Sequence, residues 1–364
     1  MRSGPEHGGN VYGAARRTGR SLDRLVDFSA SINPLGPSPK SLRAISDSLP
    51  RVVHYPDPDC VLLRNALARR WRVAPDRIVI GNGSSELITL IPLALPITRA
   101  VILGPTFAEY ERAVLLAGGA VEFLHASRRD GYRPPIELLR GRLEEGRPID
   151  ALFLCNPNSP TGQALSVRSV RQVLEAAEKR KVWTVLDETF VEYCADRSVL
   201  PLLARYPHCL VLRSFTKFYA LPGLRLGYLV GPAQVVARVK SRQPPWSVNV
   251  LAQAAALAAL RDRRHATASR SFMVRERAVF ARDLAALPGV TVFPSPANFL
   301  LVELPAGFIA KSVVRRLAKG GLLVRDCSNV PGLNGRTIRL AVRRPEQNRR
   351  LVRALKLALG GTRR

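Results

Sequence analysis

Short apolar segments alternate with segments of helical periodicity between about residue 60 and residue 230 of this chain. The segments "ALFLC" and "VWTVL" are typical of buried strands, whereas "SVRSVRQVLEAAEKRK" between them has the spacing of an amphipathic helix. Continuous apolar strands that alternate with helices are typical of a mostly parallel sheet covered by helices on both faces. The sequence therefore predicts an α/β fold, in which functional side chains collect beyond the carboxyl ends of the strands.

The pattern changes after the segment "KSRQPPWSVNV", in a chain of 364 residues that exceeds one average domain. Beyond this point long helices precede shorter strands, as expected for a second and smaller α+β domain. We predict an N-terminal arm over residues 1–45 that packs with the small domain. A large domain over residues 46–245 and the small domain over residues 246–364 complete the predicted organisation.

The formal net charge is +28, from 56 lysines and arginines against 28 acidic residues. Such a balance invites a nucleic-acid-binding interpretation. The basic residues, however, are spread from end to end, and the sequence contains no motif of the common nucleic-acid-binding domains. The charge favours a basic surface that attracts small anionic ligands, and a nucleic-acid-binding protein is the non-enzymatic alternative.

The cysteine and hydropathy patterns bear on the compartment. The five cysteines are odd in number and scattered, so they predict neither a disulfide framework nor a metal site. No apolar run approaches the roughly 20 residues that span a bilayer, and the N-terminus lacks the apolar core of a secretory signal. We therefore expect a cytoplasmic protein without a membrane partner.

Two charged residues stand at the ends of predicted strands. Asp187 ends the apolar strand "VWTVL", and Lys217 follows the apolar run "CLVLR". A poorly solvated carboxylate needs a cationic partner or strong donors. A lysine that forms a Schiff base, with an aspartate that pairs with a protonated pyridine nitrogen, makes a site for pyridoxal 5′-phosphate. Taken alone, Lys217 could equally be a surface residue.

The phosphate of such a cofactor needs a set of donors. In "GNGSSE", Gly83 lies at a turn, and Ser84 and Ser85 begin a predicted helix, where free N–H groups and the helix dipole favour an anion. Three further residues could complete this site, namely Ser214, Thr216 and Arg225, with the arginine as the countercharge.

The combined motifs resemble the fold type I pyridoxal-phosphate enzymes of the class I/II aminotransferase family along nearly the whole chain. The resemblance rests on four motifs in order, "GNGSSE", "NPNSPTG", "DETF" and "SFTKFYALPGLR". It implies a large domain with a mostly parallel sheet plus a smaller α+β domain. Within the family, "HGGNVYGAAR", "LVDFSASINPLGPSP" and "PPWSVN" resemble the branch of threonine-phosphate decarboxylases, relatives of the histidinol-phosphate aminotransferases.

The resemblance assigns roles to particular residues. It implies that Lys217 holds the cofactor covalently, that Asp187 pairs with the pyridine nitrogen and that Phe107 stacks on the ring. Tyr55 would reach the cofactor phosphate of a neighbouring subunit, which implies a homodimer with shared active sites.

The motifs depart from the family pattern at two positions. Many relatives have an asparagine where this chain has Ser159, next to Asn158, and a tyrosine where it has Phe190. Both family residues contact the phenolic oxygen of the cofactor. Phe190 offers no hydrogen-bond donor to that oxygen, so either Ser159 or a water molecule would have to hold it. By the resemblance, Asn158 and Ser159 are both expected to contact the cofactor.

A substrate with a carboxylate and a phosphate needs two cationic anchors. Arg339, in "TIRLAVR", matches the family arginine that binds the α-carboxylate with both arms of its guanidinium. Arg325 would bind the substrate phosphate with His7 and Asn33, and Gly8 would let the N-terminal segment fold over the site. Ser159 is predicted to contact the substrate as well.

The reaction class follows from the resemblance and not from the cofactor motifs, because decarboxylation and transamination begin in the same way. The bond at Cα that lies perpendicular to the cofactor ring is the one that breaks. The resemblance implies decarboxylation of L-threonine O-3-phosphate to (R)-1-amino-2-propanol O-2-phosphate for cobalamin biosynthesis. Transamination of histidinol phosphate is the alternative.

Overall fold

The computed structural model describes residues 7–360 of the chain. Its strands are β1 (Val26–Asp27), β2 (Ile78–Gly81), β3 (Arg99–Gly104), β4 (Ala120–His125), β5 (Ala151–Cys155), β6 (Trp183–Asp187), β7 (Cys209–Ser214), β8 (Gly227–Val230), β9 (Thr291–Val292), β10 (Phe299–Glu303), β11 (Leu322–Leu323), β12 (Arg325–Asp326) and β13 (Thr337–Ala341).

The α-helices lie mainly between the strands. They are α1 (Val11–Thr18), α2 (Pro39–Ser48), α3 (Val61–Trp71), α4 (Ser84–Ala94), α5 (Glu109–Leu116), α6 (Ile136–Glu144), α7 (Val167–Lys179), α8 (Ala233–Ser241), α9 (Val250–Arg261), α10 (Arg263–Ala285), α11 (Ala310–Lys319) and α12 (Pro345–Gly360). No helix between residues 7 and 360 is both long enough and apolar enough to cross a membrane.

The large sheet has seven strands in the order β2-β8-β7-β6-β5-β3-β4. Strand β8 is antiparallel to both of its neighbours, and the other neighbouring pairs are parallel. Strands β5 and β7 are buried along their whole length, and β6 is buried except at Trp183. Apolar helix faces cover both sides of the sheet. The predicted α/β fold with a mostly parallel sheet is confirmed.

The local sequence explains where two of these helices begin. Helix α4 follows Gly83, whose φ of +82° is strained for residues with a side chain. Helix α7 begins after Ser166, whose hydroxyl accepts a hydrogen bond from the backbone N–H of Ser169. Helix α4 thus starts directly at the carboxyl end of β2 and turns its first N–H groups towards that edge of the sheet.

A second sheet has four antiparallel strands in the order β12-β13-β10-β9. The N-terminal segment joins this region, because β1 pairs in parallel with β11, and the N–H of Ala341 donates to the carbonyl of Phe28 over 2.9 Å. These contacts fit the predicted packing of the N-terminal arm with the small domain. The exact domain boundaries stay a prediction.

Candidate active site

A cavity of about 770 Å³ lies where the carboxyl ends of β5, β6 and β7 face the small sheet. Of the predicted site residues, those that line the cavity are His7, Gly8, Ser84, Ser85, Phe107, Ser159, Asp187, Thr216, Lys217, Arg225, Arg325 and Arg339. These residues come from segments more than 300 positions apart in the chain, so the fold gathers them at one edge of the large sheet.

Lys217 lies just beyond β7, with its side chain at the cavity. Burial lowers the pKa of the lysine amine to about 8, and the positive charges of Arg339 and Arg225 act in the same direction, while the carboxylate of Asp187 opposes them. A lowered pKa leaves more of the amine neutral at physiological pH. A neutral amine is the nucleophile that attacks an aldehyde, so the site is suited to hold a carbonyl cofactor covalently.

Asp187 ends β6 and is almost completely buried. Its carboxylate accepts hydrogen bonds from the hydroxyl of Tyr110 over 2.7 Å and from the N–H of Thr189 over 2.8 Å. Burial raises the pKa of this carboxyl, whereas Thr189, Tyr110 and Lys217 lower it. A buried carboxylate that is held by donors on two sides is suited to pair with a cationic ring nitrogen.

Tyr110 was not among the predicted site residues, because its sequence context is that of a core aromatic. Tyr110 is fully buried on α5, three residues after Phe107, with which it makes an edge-to-face contact at 5.7 Å between ring centroids. Burial raises the pKa of its hydroxyl well above the usual value, and the negative charge of Asp187 adds to that effect. The hydroxyl therefore stays protonated and donates to the carboxylate. Tyr110 lies in the first turn of α5, and no local sequence signal distinguishes its hydroxyl from that of a core tyrosine.

At the predicted phosphate site there is no room for a side chain on two glycines, as expected where the backbone must approach an anion closely. A side-chain carbon at Gly83 would lie 2.5 Å from Nη2 of Arg225, and one at Gly227 would lie 2.5 Å from the backbone nitrogen of Ser84. Ser84 and Ser85 form the first turn of α4 at the cavity. Backbone N–H groups at a helix start, a guanidinium and two serine hydroxyls fit a phosphate dianion.

Ser214 and Thr216 contribute to this region in different ways. Their hydroxyls are hydrogen-bonded to each other over 2.8 Å. Thr216 lines the cavity, whereas Ser214 lies behind it at the end of β7. Ser214 is therefore placed to orient Thr216, which faces the predicted phosphate site.

Two arginines of the small sheet face the cavity side by side. Arg325 on β12 is the register partner of Arg339 on β13. Arg339 donates to the hydroxyl of Ser159 and to the carbonyl of Ser29, both over 2.8 Å. Its Nε is buried and has no hydrogen-bond partner among the described residues. Burial lowers the pKa of Arg339 and Arg325 lowers it further, so this wall of the cavity is suited to bind anions.

Five predicted residues lie outside the cavity lining, and one of them is the surface residue Tyr55. The amide nitrogen of Asn33 donates to the carbonyl of Phe218 and to the hydroxyl of Ser269, and that of Asn158 donates to Thr161 and to the carbonyl of Pro105. These amides hold the neighbouring loops in place, and their nitrogens are engaged within the protein. The remaining two are Gly83 and Ser214, which lie directly behind lining residues.

Tyr55 lies on the surface, with 78% of its area exposed, and stacks on Trp246 at 4.4 Å between ring centroids. Phe190 lines the cavity, and the amine of Lys217 lies 6.0 Å from its ring centroid. The departure at Phe190 therefore places a ring face, with no hydrogen-bond donor, beside the lysine. Thr189 lines the cavity too, and its hydroxyl is buried without a hydrogen-bond partner of normal geometry in the described part of the chain.

A comparison with known proteins adds to this geometry. The family "Aminotransferase class I and II" matches residues 23–355. The chain belongs to this family. It is a pyridoxal-phosphate-dependent enzyme, and its buried lysine, buried aspartate and crowded glycine turn fit that cofactor. Among residues 7–360 no three His, Cys, Asp or Glu side chains are grouped so that they could hold a metal ion.

Three similar proteins place the chain within the family. The threonine-phosphate decarboxylase of Salmonella typhimurium is 40% identical over 98% of this chain and 97% of its own. The crystal structure of L-threonine-O-3-phosphate decarboxylase from Porphyromonas gingivalis is 30% identical and has a TM-score of 0.82 over 92% of this chain and 99% of its own. The crystal structure of histidinol-phosphate aminotransferase from Clostridium acetobutylicum is 29% identical, with a TM-score of 0.86 over 93% and 100%.

Proposed function

We propose that this enzyme decarboxylates L-threonine O-3-phosphate to (R)-1-amino-2-propanol O-2-phosphate, an intermediate of cobalamin biosynthesis. The observation that carries the proposal is the 40% identity, over 98% of the chain, to a threonine-phosphate decarboxylase. The cavity supports it, because Arg325 and Arg339 present two guanidinium groups side by side to a substrate with two anionic groups.

The two arginines differ in their surroundings, and this supports different roles. Arg339 is held by Ser159 and Ser29 deep in the cavity, whereas Arg325 is partly exposed and makes a long contact of 3.4 Å with Asn329. We assign the α-carboxylate to Arg339, since a fixed guanidinium can bind a planar carboxylate with two parallel hydrogen bonds. The phosphate is assigned to Arg325, near the cavity mouth.

Pyridoxal phosphate, when bound, supplies an electron sink for the bond that breaks at the substrate Cα. Asp187 presents its buried carboxylate to the cationic ring nitrogen and so favours the protonated ring. Lys217 would hold the cofactor covalently through Nζ. When free and protonated, the same Nζ would donate a proton to the substrate Cα, which takes the place of the carboxylate that leaves as carbon dioxide.

We further propose that the working enzyme is a homodimer in which Tyr55 of each subunit reaches the phosphate site of the other. Tyr55 and its neighbours Val52 and Val53 are exposed apolar residues, with 58% of Val52 and 78% of Val53 accessible to solvent. A second copy of the chain would bury them. The same enzyme is proposed to work in the cytoplasm, where its five free cysteines stay reduced.

The function is tested with purified, cofactor-loaded enzyme and L-threonine O-3-phosphate. We expect release of carbon dioxide and formation of aminopropanol phosphate in equal amounts. Glutamate-dependent conversion of imidazole acetol phosphate, without gas release, would instead identify the enzyme as a histidinol-phosphate aminotransferase.

A further inference from the structure

One contact joins the N-terminal segment to the large domain at the cavity. Nε2 of His7 lies 2.8 Å from Oε1 of Glu109, a residue 102 positions away at the start of α5. The side chain of Glu109 is only 10% exposed, and its second oxygen accepts a hydrogen bond from Arg112 over 3.1 Å. A carboxylate this well buried is held in one place, so it can fix the position of the imidazole.

The rest of the N-terminal segment is fixed by its fit against Ser29. Gly9 donates its N–H to the hydroxyl of Ser29 over 2.8 Å, and a side-chain carbon at Gly8 would lie 2.2 Å from the carbonyl oxygen of Ser29. That same carbonyl accepts a hydrogen bond from Arg339. The segment therefore brings His7 to the part of the cavity that contains the anion-binding arginines.

We propose that Glu109 is a positioning residue that holds His7 as a donor to the phosphate of the substrate. With Nε2 engaged by Glu109, the second ring nitrogen, Nδ1, is the one left for a ligand, and it makes no hydrogen bond with any residue from 7 to 360. An imidazolium between Glu109 and a phosphate donates one N–H to each and carries the positive charge between two anions. This inference deepens the proposed function and rests on it for the identity of the substrate.

The proposal and simple electrostatics predict opposite effects of removing Glu109 on the affinity for phosphate. Glu109 places a negative charge in a cavity that binds anions, so its removal should strengthen phosphate binding if charge alone mattered. If Glu109 positions His7, its removal should weaken phosphate binding, because the imidazole loses its fixed orientation and its charge partner. Glu111, two residues along the same helix and also at the cavity, makes no side-chain hydrogen bond in the described structure and provides a matched control.

The test uses the cofactor-loaded enzyme, so that the cofactor already occupies its own phosphate site. Calorimetric affinity for inorganic phosphate and KM for L-threonine O-3-phosphate are measured for Glu109→Gln, His7→Ala and the double variant. We expect Glu109→Gln to weaken both by about three- to thirtyfold, as for residues in direct contact. The double variant should bind phosphate no more weakly than His7→Ala alone. Affinity for unphosphorylated L-threonine should not change.

Glu111→Gln should leave phosphate affinity unchanged or raise it slightly. Tighter phosphate binding in Glu109→Gln, or a loss that adds in full to that of His7→Ala, would overturn the proposal. If Glu109→Gln does not fold, Glu109→Asp decides, because it keeps the charge but withdraws it from His7 and should still weaken phosphate binding. An Asp variant with unchanged affinity would equally overturn it.

The inorganic phosphate measurement separates this inference from the proposed function. An enzyme that released no carbon dioxide from threonine phosphate would refute the decarboxylase assignment. The coupling between His7 and Glu109 in phosphate binding would still be measurable in that enzyme, and its presence or absence would decide the role of Glu109 independently.

Discussion

The cavity has a floor of residues at the strand ends of the large sheet, which we define as Ser84, Ser85, Asp187 and Lys217. Opposite it is a roof from the N-terminal segment and the small sheet, which we define as His7, Arg325 and Arg339. Asp187 ends β6 and Lys217 follows β7; these two strands are adjacent and parallel, with a buried core on both faces of the sheet. The roof comes from separate segments, because Arg325 and Arg339 lie on neighbouring strands of the small sheet, whereas His7 belongs to the N-terminal segment.

Because the floor and the roof are built differently, we expect them to have different functions. A floor built from adjacent strands is rigid, and it is suited to chemistry that is common to every substrate. A roof that is assembled from separate segments can change its anchors without disturbing the sheet. We therefore expect floor substitutions to affect all substrates alike, and roof substitutions to affect substrates according to the groups that they carry.

The largest effect is expected for Lys217→Ala. Without its amine the floor cannot hold the cofactor covalently or supply a proton to Cα, so turnover should fall on the order of 10⁴-fold or more. The yellow absorbance of the lysine-bound cofactor should disappear, while circular dichroism stays unchanged. Lys240, which does not line the cavity, gives the control variant Lys240→Ala, which should keep both properties. An active Lys217→Ala enzyme would refute the role of the floor.

Asp187→Asn should cost about a thousandfold in kcat, because an amide supplies no charge to favour the protonated ring. The loss is measured with threonine phosphate and with threonine. Equal losses support a floor that acts on all substrates. A loss of kcat with threonine phosphate alone would contradict the expectation that the floor acts on all substrates alike.

Arg325→Ala tests the roof, and it should lower kcat/KM for threonine phosphate by about tenfold to a few hundredfold, since each charge-assisted hydrogen bond to a phosphate contributes about 1.5–3 kcal/mol. The kcat/KM for threonine should fall only slightly, and the cofactor absorbance should stay the same. Arg339→Ala should damage both substrates alike, because both carry the α-carboxylate. Equal losses for both substrates in Arg325→Ala would show that Arg325 is not the phosphate anchor.

The smallest effect is expected for Tyr110→Phe, which removes one hydrogen bond from Asp187 and leaves the floor otherwise intact. A loss of about tenfold in kcat is expected from one hydrogen bond to a charged group. The pH at which the cofactor absorbance changes should shift as well, because the charge on Asp187 is then less well stabilised. Tyr132, a buried tyrosine that packs on Phe293, gives the control variant Tyr132→Phe, which should not move the absorbance.

Much of the floor could be predicted from local sequence. Asp187 and Lys217 follow apolar strands, and parallel strands that are adjacent in a sheet bring their carboxyl ends to one edge. The glycine turn before Ser84 is equally local, because the φ of Gly83 and the helix start lie within three residues. Short-range rules of chain geometry were therefore enough to place these groups together.

Other roles depended on partners that are distant in the chain. Glu109 looked like an ordinary acidic residue in the first turn of a helix until the fold placed His7 beside it. Tyr110 looked like a core aromatic, although its hydroxyl reaches a carboxylate 77 positions away. Asn33 was predicted at the substrate, yet its amide is engaged with Phe218 and with Ser269, 236 positions away.

The sequence by itself determined the alternation of strands and helices, the floor and the family, because each depends on residues close together in the chain or on motifs in a set order. Only the tertiary structure decided which polar side chains face the cavity and which are engaged within the protein. A hydrogen bond forms with whichever partner the packed chain brings within about 3 Å. Sequence distance does not predict that partner when the segments meet through folding.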